Sequence, residues 1–256
     1  MFHRPRVIPS LLLRKNGLVK TLKFKDQRYI GDPINAVKIF NEKGVDELVL
    51  LDITATTDKR GPNLPLLARI AAEAFMPMAY GGGITQFEEI REILRLGYEK
   101  VIMNTSAIEN AELIREASEC FGSQSIVISL DTKKNFFGNY HVMTHSGSND
   151  TKLDPVQFAQ EAEKLGAGEI LLYSVDKDGT MSGYDLSLIK KVSEAVNLPV
   201  VACGGAGRVD DFAAALHAGA AAVSAGSLFV FYGKHKAVLI TFPTDEELTK
   251  AGVFES

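Results

Sequence analysis

A glycine cluster at the end of a short apolar run occurs twice in this chain. Met78-Ala79-Tyr80-Gly81-Gly82-Gly83-Ile84 returns about half a chain later as Val201-Ala202-Cys203-Gly204-Gly205-Ala206-Gly207. An amphipathic helix pattern follows each copy, Phe87 to Leu96 in the first and Phe212 to His217 in the second. The pattern predicts a strand that opens into a side-chain-free turn and then a helix. Such a turn presents backbone N–H groups without obstruction, and beside a helix N-terminus it suits a phosphate. Two turns needed only for chain geometry are the alternative, and the duplication favours phosphate.

The echo reaches past the glycines at an offset of about 122 residues. Gly44-Val45-Asp46-Glu47-Leu48-Val49-Leu50-Leu51 matches Gly166-Ala167-Gly168-Glu169-Ile170-Leu171-Leu172-Tyr173, Gly97 matches Gly219, Val101 matches Val223 and Thr105 matches Ser227. At a slightly shorter offset Leu12 stands where the second half has Asp131. The chain reads as a duplicated half, with half-barrels at about 1–122 and 123–256.

Eight short apolar runs alternate with helical patterns. The runs are Val7–Leu13, Glu47–Leu51, Pro77–Tyr80, Lys100–Met103, Ser125–Leu130, Glu169–Tyr173, Pro199–Cys203 and Ala221–Ala225. The expected helices include Asp32-Pro33 to Lys43, Pro65 to Phe75, Ala111 to Phe121, Asp154 to Leu165 and Leu186 to Val196, with Asp245 to Ala251 sealing the far end. The polar stretch from Arg14 to Gly31 is too long for a tight turn and reads as a functional loop. Tyr140-His141-Val142-Met143-Thr144 predicts a small hairpin after the fifth strand, which Asp131 terminates. Eight strands duplicated four by four predict an α/β fold, a closed (βα)8 TIM barrel, as a single domain over 1–256.

With 46% hydrophobic and 23% charged residues, the composition is that of a globular protein. A net charge of −4 argues against nucleic-acid and anionic-membrane partners. Cys120 and Cys203 sit in unlike contexts, and His3, His141, His145, His217 and His235 lack ligand spacing, so neither a disulfide nor a metal site is expected. No cofactor is suggested. The N-terminal residues hold too few uninterrupted apolar positions for a signal peptide, and a cytoplasmic location is expected.

In such barrels the active site gathers at the C-terminal strand ends, where Asp52, Gly82, Asn104, Asp131, Asp178 and Gly205 fall. Gly83 with Asn104 and Thr105, and Gly205 with Ser227, should face each other across the mouth. A substrate with a phosphate at each end fits that spacing, and a single-phosphate ligand is the competitor. Asp131 is the candidate for proton transfer; its alternative is a loop cap or a pair with Lys133 or Lys20. Asp178 is expected to shape the turn at Gly179 rather than react. At the opposite end Arg6, Glu47, Lys100 and Glu169 open four strands and predict an alternating ring of charge on the barrel floor, which plain salt bridges explain.

These motifs, with Ile8-Pro9, Leu50-Leu51-Asp52-Ile53-Thr54-Ala55, Asp176-Lys177-Asp178-Gly179-Thr180 and Gly204-Gly205-Ala206-Gly207, make the chain closely resemble the cyclase subunit of imidazole glycerol phosphate synthase over essentially its whole length. The resemblance implies a barrel that docks a glutaminase on its bottom face, draws ammonia along its axis, and uses it at the top on a bis-phosphate ribulosyl aminoimidazole carboxamide. It would place the two phosphates at Gly83, Asn104 and Thr105 and at Asp178, Gly179, Gly205, Gly226 and Ser227, with Lys20 from a mobile first loop. It makes Arg6, Glu47, Lys100 and Glu169 an ammonia gate.

The family's two essential aspartates map to Leu12 and Asp131, so one acid is missing. Near the mouth, Tyr80, Tyr173 and Cys203 also stand where these enzymes usually carry smaller or hydroxyl residues. Such departures resemble the family's second branch, which accompanies a sugar amidotransferase in surface-polysaccharide synthesis. The leading expectation is therefore an ammonia-conducting subunit with weakened cyclase chemistry. The alternatives are a working histidine-pathway cyclase forming imidazole glycerol phosphate and aminoimidazole carboxamide ribotide, a phosphosugar isomerase, and a scaffold binding a regulatory phosphosugar.

Overall fold

The computed structural model describes residues 4–254; Met1 to His3, Glu255 and Ser256, which the expected domain span and the histidine list include, lie outside the described residues. Eight parallel strands close on themselves: β1 (Arg6–Arg14), β4 (Leu48–Asp52), β5 (Met78–Gly81), β6 (Lys100–Met103), β7 (Ile126–Lys134), β10 (Glu169–Ser174), β11 (Val200–Cys203) and β12 (Ala222–Ala225). Pairing of β7 with β10 and of β12 with β1 completes the cylinder, which is the (βα)8 barrel the alternation predicts.

The surrounding helices are α1 (Pro33–Glu42), α2 (Leu64–Ala71), α3 (Phe87–Arg95), α4 (Thr105–Glu109), α5 (Glu112–Phe121), α6 (Pro155–Lys164), α7 (Leu186–Ser193), α8 (Asp210–His217), α9 (Ser227–Val230) and α10 (Asp245–Lys250). Among the described residues none is long and apolar enough to cross a membrane. Period-two alternation on the strands makes two cores. Leu11, Leu50, Tyr80, Ile128 and Val223 face outward onto the helices, whereas Ile8, Val49, Ala79, Ile102 and Leu171 fill the barrel.

The first strand of each half carries an antiparallel hairpin. After β1 come β2 (Gly17–Leu22) and β3 (Lys25–Gly31), and after β7 come β8 (Tyr140–Thr144) and β9 (Asn149–Asp150). Each hairpin then leads to a helix opened by Asp-Pro. Asp32 accepts from Asn35 N at 3.0 Å, and Asp154 accepts from Val156 N at 2.9 Å, with proline at the first turn supplying no orphan donor. A last hairpin, β13 (Phe231–Tyr232) with β14 (Ala237–Val238), follows α9.

Four expectations need correction. The stretch after Arg14 is not a loop: Leu12 and Leu13 pair with Val19 and Leu18, so β1 continues into a sheet extension. Asp131 does not end its strand, because pairing with Met143 carries β7 on to Lys134. Helix α2 stops at Ala71 rather than Phe75, since the Asn41 side chain accepts from Phe75 N at 3.0 Å and donates to Glu73 O, holding that segment outside the helix. Helices α4 and α9 and the last hairpin were not expected at all. The tail does close the bottom: Leu248 joins the outer core, and Arg4, just before β1, pairs with Asp245 at 2.8 Å.

Candidate active site at the barrel mouth

The two glycine turns share one backbone conformation at their central residue. Gly82 has φ +119° and Gly205 φ +117°, and a Cβ at either would come within 2.3 Å of a backbone oxygen, that of Asp52 or of Gly183. Only glycine tolerates both the dihedral and the approach. Around these turns lie two pockets. The first, about 850 Å³ with open solvent included, is lined by Leu12, Asp52, Gly83, Asn104, Thr105 and Asp131, with other residues. The second, about 320 Å³, gathers Lys20, Asp178, Gly179, Gly205, Gly226 and Ser227. Gly83, Asn104 and Thr105 thus line one pocket, and Asp178, Gly179, Gly205, Gly226 and Ser227 line the other.

Tyr173 lines both pockets and stands between them. Its hydroxyl donates to Asp178 Oδ1 at 2.9 Å, and the Phe24 ring meets it edge-on with centroids 5.0 Å apart. Asp178 is a hub: its Oδ2 also accepts from Thr21 Oγ1 at 2.6 Å and Phe24 N at 3.0 Å, while its carbonyl accepts from Lys23 N. These bonds clamp the β2–β3 turn onto the loop after β10. The turn is held in strained backbone, with Lys23 at φ +53° and Phe24 at φ +61°.

Lys20 departs from expectation. It is buried in β2, with Nζ donating to Ser10 O at 2.6 Å. Burial pulls its amine down to about 8, partly opposed by Asp178. Gly226 makes the room it needs: a Cβ there would lie 1.9 Å from Lys20 Nζ.

Asp131 faces the first pocket, and its hydrogen-bond partner is Ser129, whose hydroxyl donates to Oδ1 at 2.8 Å. It pairs with neither Lys133 nor Lys20. Burial pushes its carboxyl up to about 6, against the Ser129 hydrogen bond that favours the anion. The pocket's other acid, Asp52, is tied up by Arg60 through contacts of 2.8 and 2.9 Å. Leu12, buried, lines the same pocket.

Asn104 is in place, but its amide donates to Ser129 O at 3.0 Å and Met143 O at 3.1 Å, bracing β6 against β7 and β8. Thr105 Oγ1 accepts from His145 N at 3.1 Å. Tyr80 is not at the mouth. It points out from the barrel and donates to Gly82 O at 3.0 Å, propping the glycine turn from below. Cys203 does line the second pocket, and burial raises its thiol to about 12.

The floor ring is complete. Arg6 reaches Glu47 and Glu169, and Lys100 Nζ lies 3.0 Å from Glu47 Oε2 and 2.7 Å from Glu169 Oε2. Each cation bridges both carboxylates.

Residues missed from sequence are Ser129, Thr21, Phe24 and Arg60. Ser129 was discoverable, because it precedes Asp131 by two positions on a strand and so shares its face. Nothing local marked Phe24.

Fold and mouth together define a twofold-patterned (βα)8 barrel with its polar site at the C-terminal strand ends and a charged ring closing the other end. The family model for histidine biosynthesis proteins matches residues 6–236. The chain belongs to that family, and within it to the imidazole glycerol phosphate synthase cyclase-subunit group. It is 50% identical over 246 residues to a Pseudomonas aeruginosa protein provisionally named imidazole glycerol phosphate synthase subunit hisF2, covering 96% of this chain and 98% of that one. A Leptospira interrogans protein, likewise provisionally named as the HisF subunit, is 47% identical over 95% of this chain and 97% of its own. The Thermococcus onnurineus imidazole glycerol phosphate synthase subunit HisF is 47% identical over 231 residues, 90% of each chain.

Proposed function

We propose that this chain is an ammonia-conducting barrel subunit of a cytoplasmic glutamine amidotransferase complex that amidates a nucleotide-linked sugar for surface-polysaccharide synthesis. A glutaminase would dock on the N-terminal face and release ammonia at the ring of Arg6, Glu47, Lys100 and Glu169. A sugar amidotransferase would take the ammonia at the top. Gly83, Asn104 and Thr105 in one pocket, and Lys20, Asp178, Gly179, Gly205, Gly226 and Ser227 in the other, would hold phosphate groups of a small ligand.

The observation that carries this reading is Leu12. It lines the first pocket beside Asp131, and the only other carboxylate lining that pocket among the described residues, Asp52, is paired with Arg60. Losing one positioned general acid or base typically costs about 10²- to 10⁴-fold in rate. An intact floor ring below a weakened cyclase site supports the conduit reading.

A second reading, a working histidine-pathway cyclase, is favoured by Asp131 itself. A carboxyl near 6 can both give and take a proton at neutral pH. The deciding experiment supplies purified chain with the aminoimidazole bis-phosphate and concentrated ammonium, so that no glutaminase is needed. The conduit reading expects no turnover by wild type and co-purification of a glutaminase; turnover at an ordinary enzymatic rate transfers the conclusion to the cyclase.

A further inference from the structure

The column of side chains inside the barrel is apolar for most of its height, with Ile8, Val49, Ile102, Val127 and Leu171 among its members. Ser10 on β1 and Ser224 on β12 break it. Both follow an inward residue, Ile8 and Ala222, by two positions and so face the interior. Both are buried, and neither Oγ has a hydrogen-bond partner among the described residues. Cys203 is the ladder neighbour of Ser224, and the Ser224 hydroxyl favours its thiolate against burial. Ser129, the inward hydroxyl across the barrel, is committed to Asp131.

Buried hydroxyls are nearly always paired, because an unmade hydrogen bond leaves the full desolvation cost standing. Alanine would fill either position without that cost. The two serines are also placed together. Ile8 pairs with Ser224 in the ladder, so Ser10 is the next inward side chain on the adjoining strand. Immediately above lies the second pocket: Ser10 O receives Lys20 Nζ, and Gly226, the next inward position after Ser224, lies against the same two atoms.

We propose that Ser10 and Ser224 form a station inside the barrel for a small neutral hydrogen-bonding molecule, ammonia when it is supplied, which then leaves into the second pocket beneath Lys20 rather than beside Asp131. A hydroxyl pair can accept from such a guest and donate to its lone pair. On the first-pocket side the inward hydroxyl, Ser129, already donates to Asp131, and the inward Ile102 and Val127 can do neither. The inference rests on the ammonia-conducting reading for the identity of the guest. Water has the same chemistry and is the rival occupant.

Neutron diffraction from deuterated crystals of the full chain tests this, with one crystal equilibrated in concentrated ND₃ above its pKa and one in ammonia-free buffer. The expected result is a guest within hydrogen-bond distance of both hydroxyls, carrying three deuterons in the first crystal and two in the second. A further ammonia under Lys20 is expected as well, and the Ser10→Ala/Ser224→Ala variant should keep the fold and lose the guest. Heavy water persisting at full ammonia concentration, hydroxyls turned onto carbonyls with no guest, or ammonia beside Asp131 instead of Lys20 would overturn the proposal. No glutaminase enters this experiment, so its failure is separable from failure of the complex, which co-purification reads.

Discussion

Tyr173 donates to Asp178 Oδ1 at 2.9 Å, and this bond holds an aromatic ring across the middle of the mouth. Phe24 backs the ring from above, so the two pockets are neighbours rather than one groove.

Removing the ring should join them. Tyr173→Thr is expected to bind the aminoimidazole bis-phosphate about tenfold more tightly than wild type by titration calorimetry, since one ligand could then span both pockets. Tyr173→Phe keeps the partition and loses only the hydroxyl, at a cost of about 1 kcal/mol in chemical denaturation. Equal affinity in wild type and Tyr173→Thr would show that the ring divides nothing.

Asp131 makes stability depend on pH in a defined direction. Its carboxyl is held near 6 in the folded state against an ordinary 3.8. Below pH 4 it is protonated folded or unfolded, and no penalty applies. Between about pH 4 and 6 the unfolded chain releases this proton while the folded chain keeps it, so stability falls by about 3 kcal/mol across that window and levels off above 6, where the folded chain carries a buried anion. Asp131→Asn should therefore be more stable than wild type at pH 7.5, with the advantage shrinking toward pH 4. Urea midpoints across that range check the sign.

The floor ring couples four ions, so deleting one cation leaves two buried carboxylates sharing the other. Lys100→Met is expected to destabilise the chain by about 3 kcal/mol, near the low end for breaking a buried pair because Lys100 keeps some exposure. Lys100→Arg should recover part of the loss. A urea titration in which Lys100→Met matches wild type would mean the ring contributes nothing to the fold.

Gly226→Ala tests the second pocket by displacing its buried amine. The new methyl would occupy the place of Lys20 Nζ, forcing that buried amine away from Ser10 O. Affinity for inorganic phosphate should drop about tenfold or more, the scale of one lost charged hydrogen bond. Unchanged phosphate binding, measured by calorimetry, would remove Lys20 from the site.

Much of this was legible because the signals were local. Asp-Pro marks the helix that follows each hairpin, the glycine clusters mark the turns, and alternation from Glu169 through Leu171 aims Tyr173 inward. The same reasoning failed at Tyr80, because β5 has no charged floor residue to fix its parity. Only pairing with β4 and β6 shows that Ala79, not Tyr80, faces in. The β2–β3 hairpin was illegible for another reason. Most of β3 is exposed, so it lacks an apolar stripe, and its place is set by distant partners such as Asp178.

The floor ring has one more consequence. Because every ion in it is held twice, no side chain can swing aside without breaking two contacts together and stranding charge in a buried layer. Loosening by small degrees gains little. The barrel bottom should act as a latch with a threshold, shut until something on its outer face supplies replacement contacts.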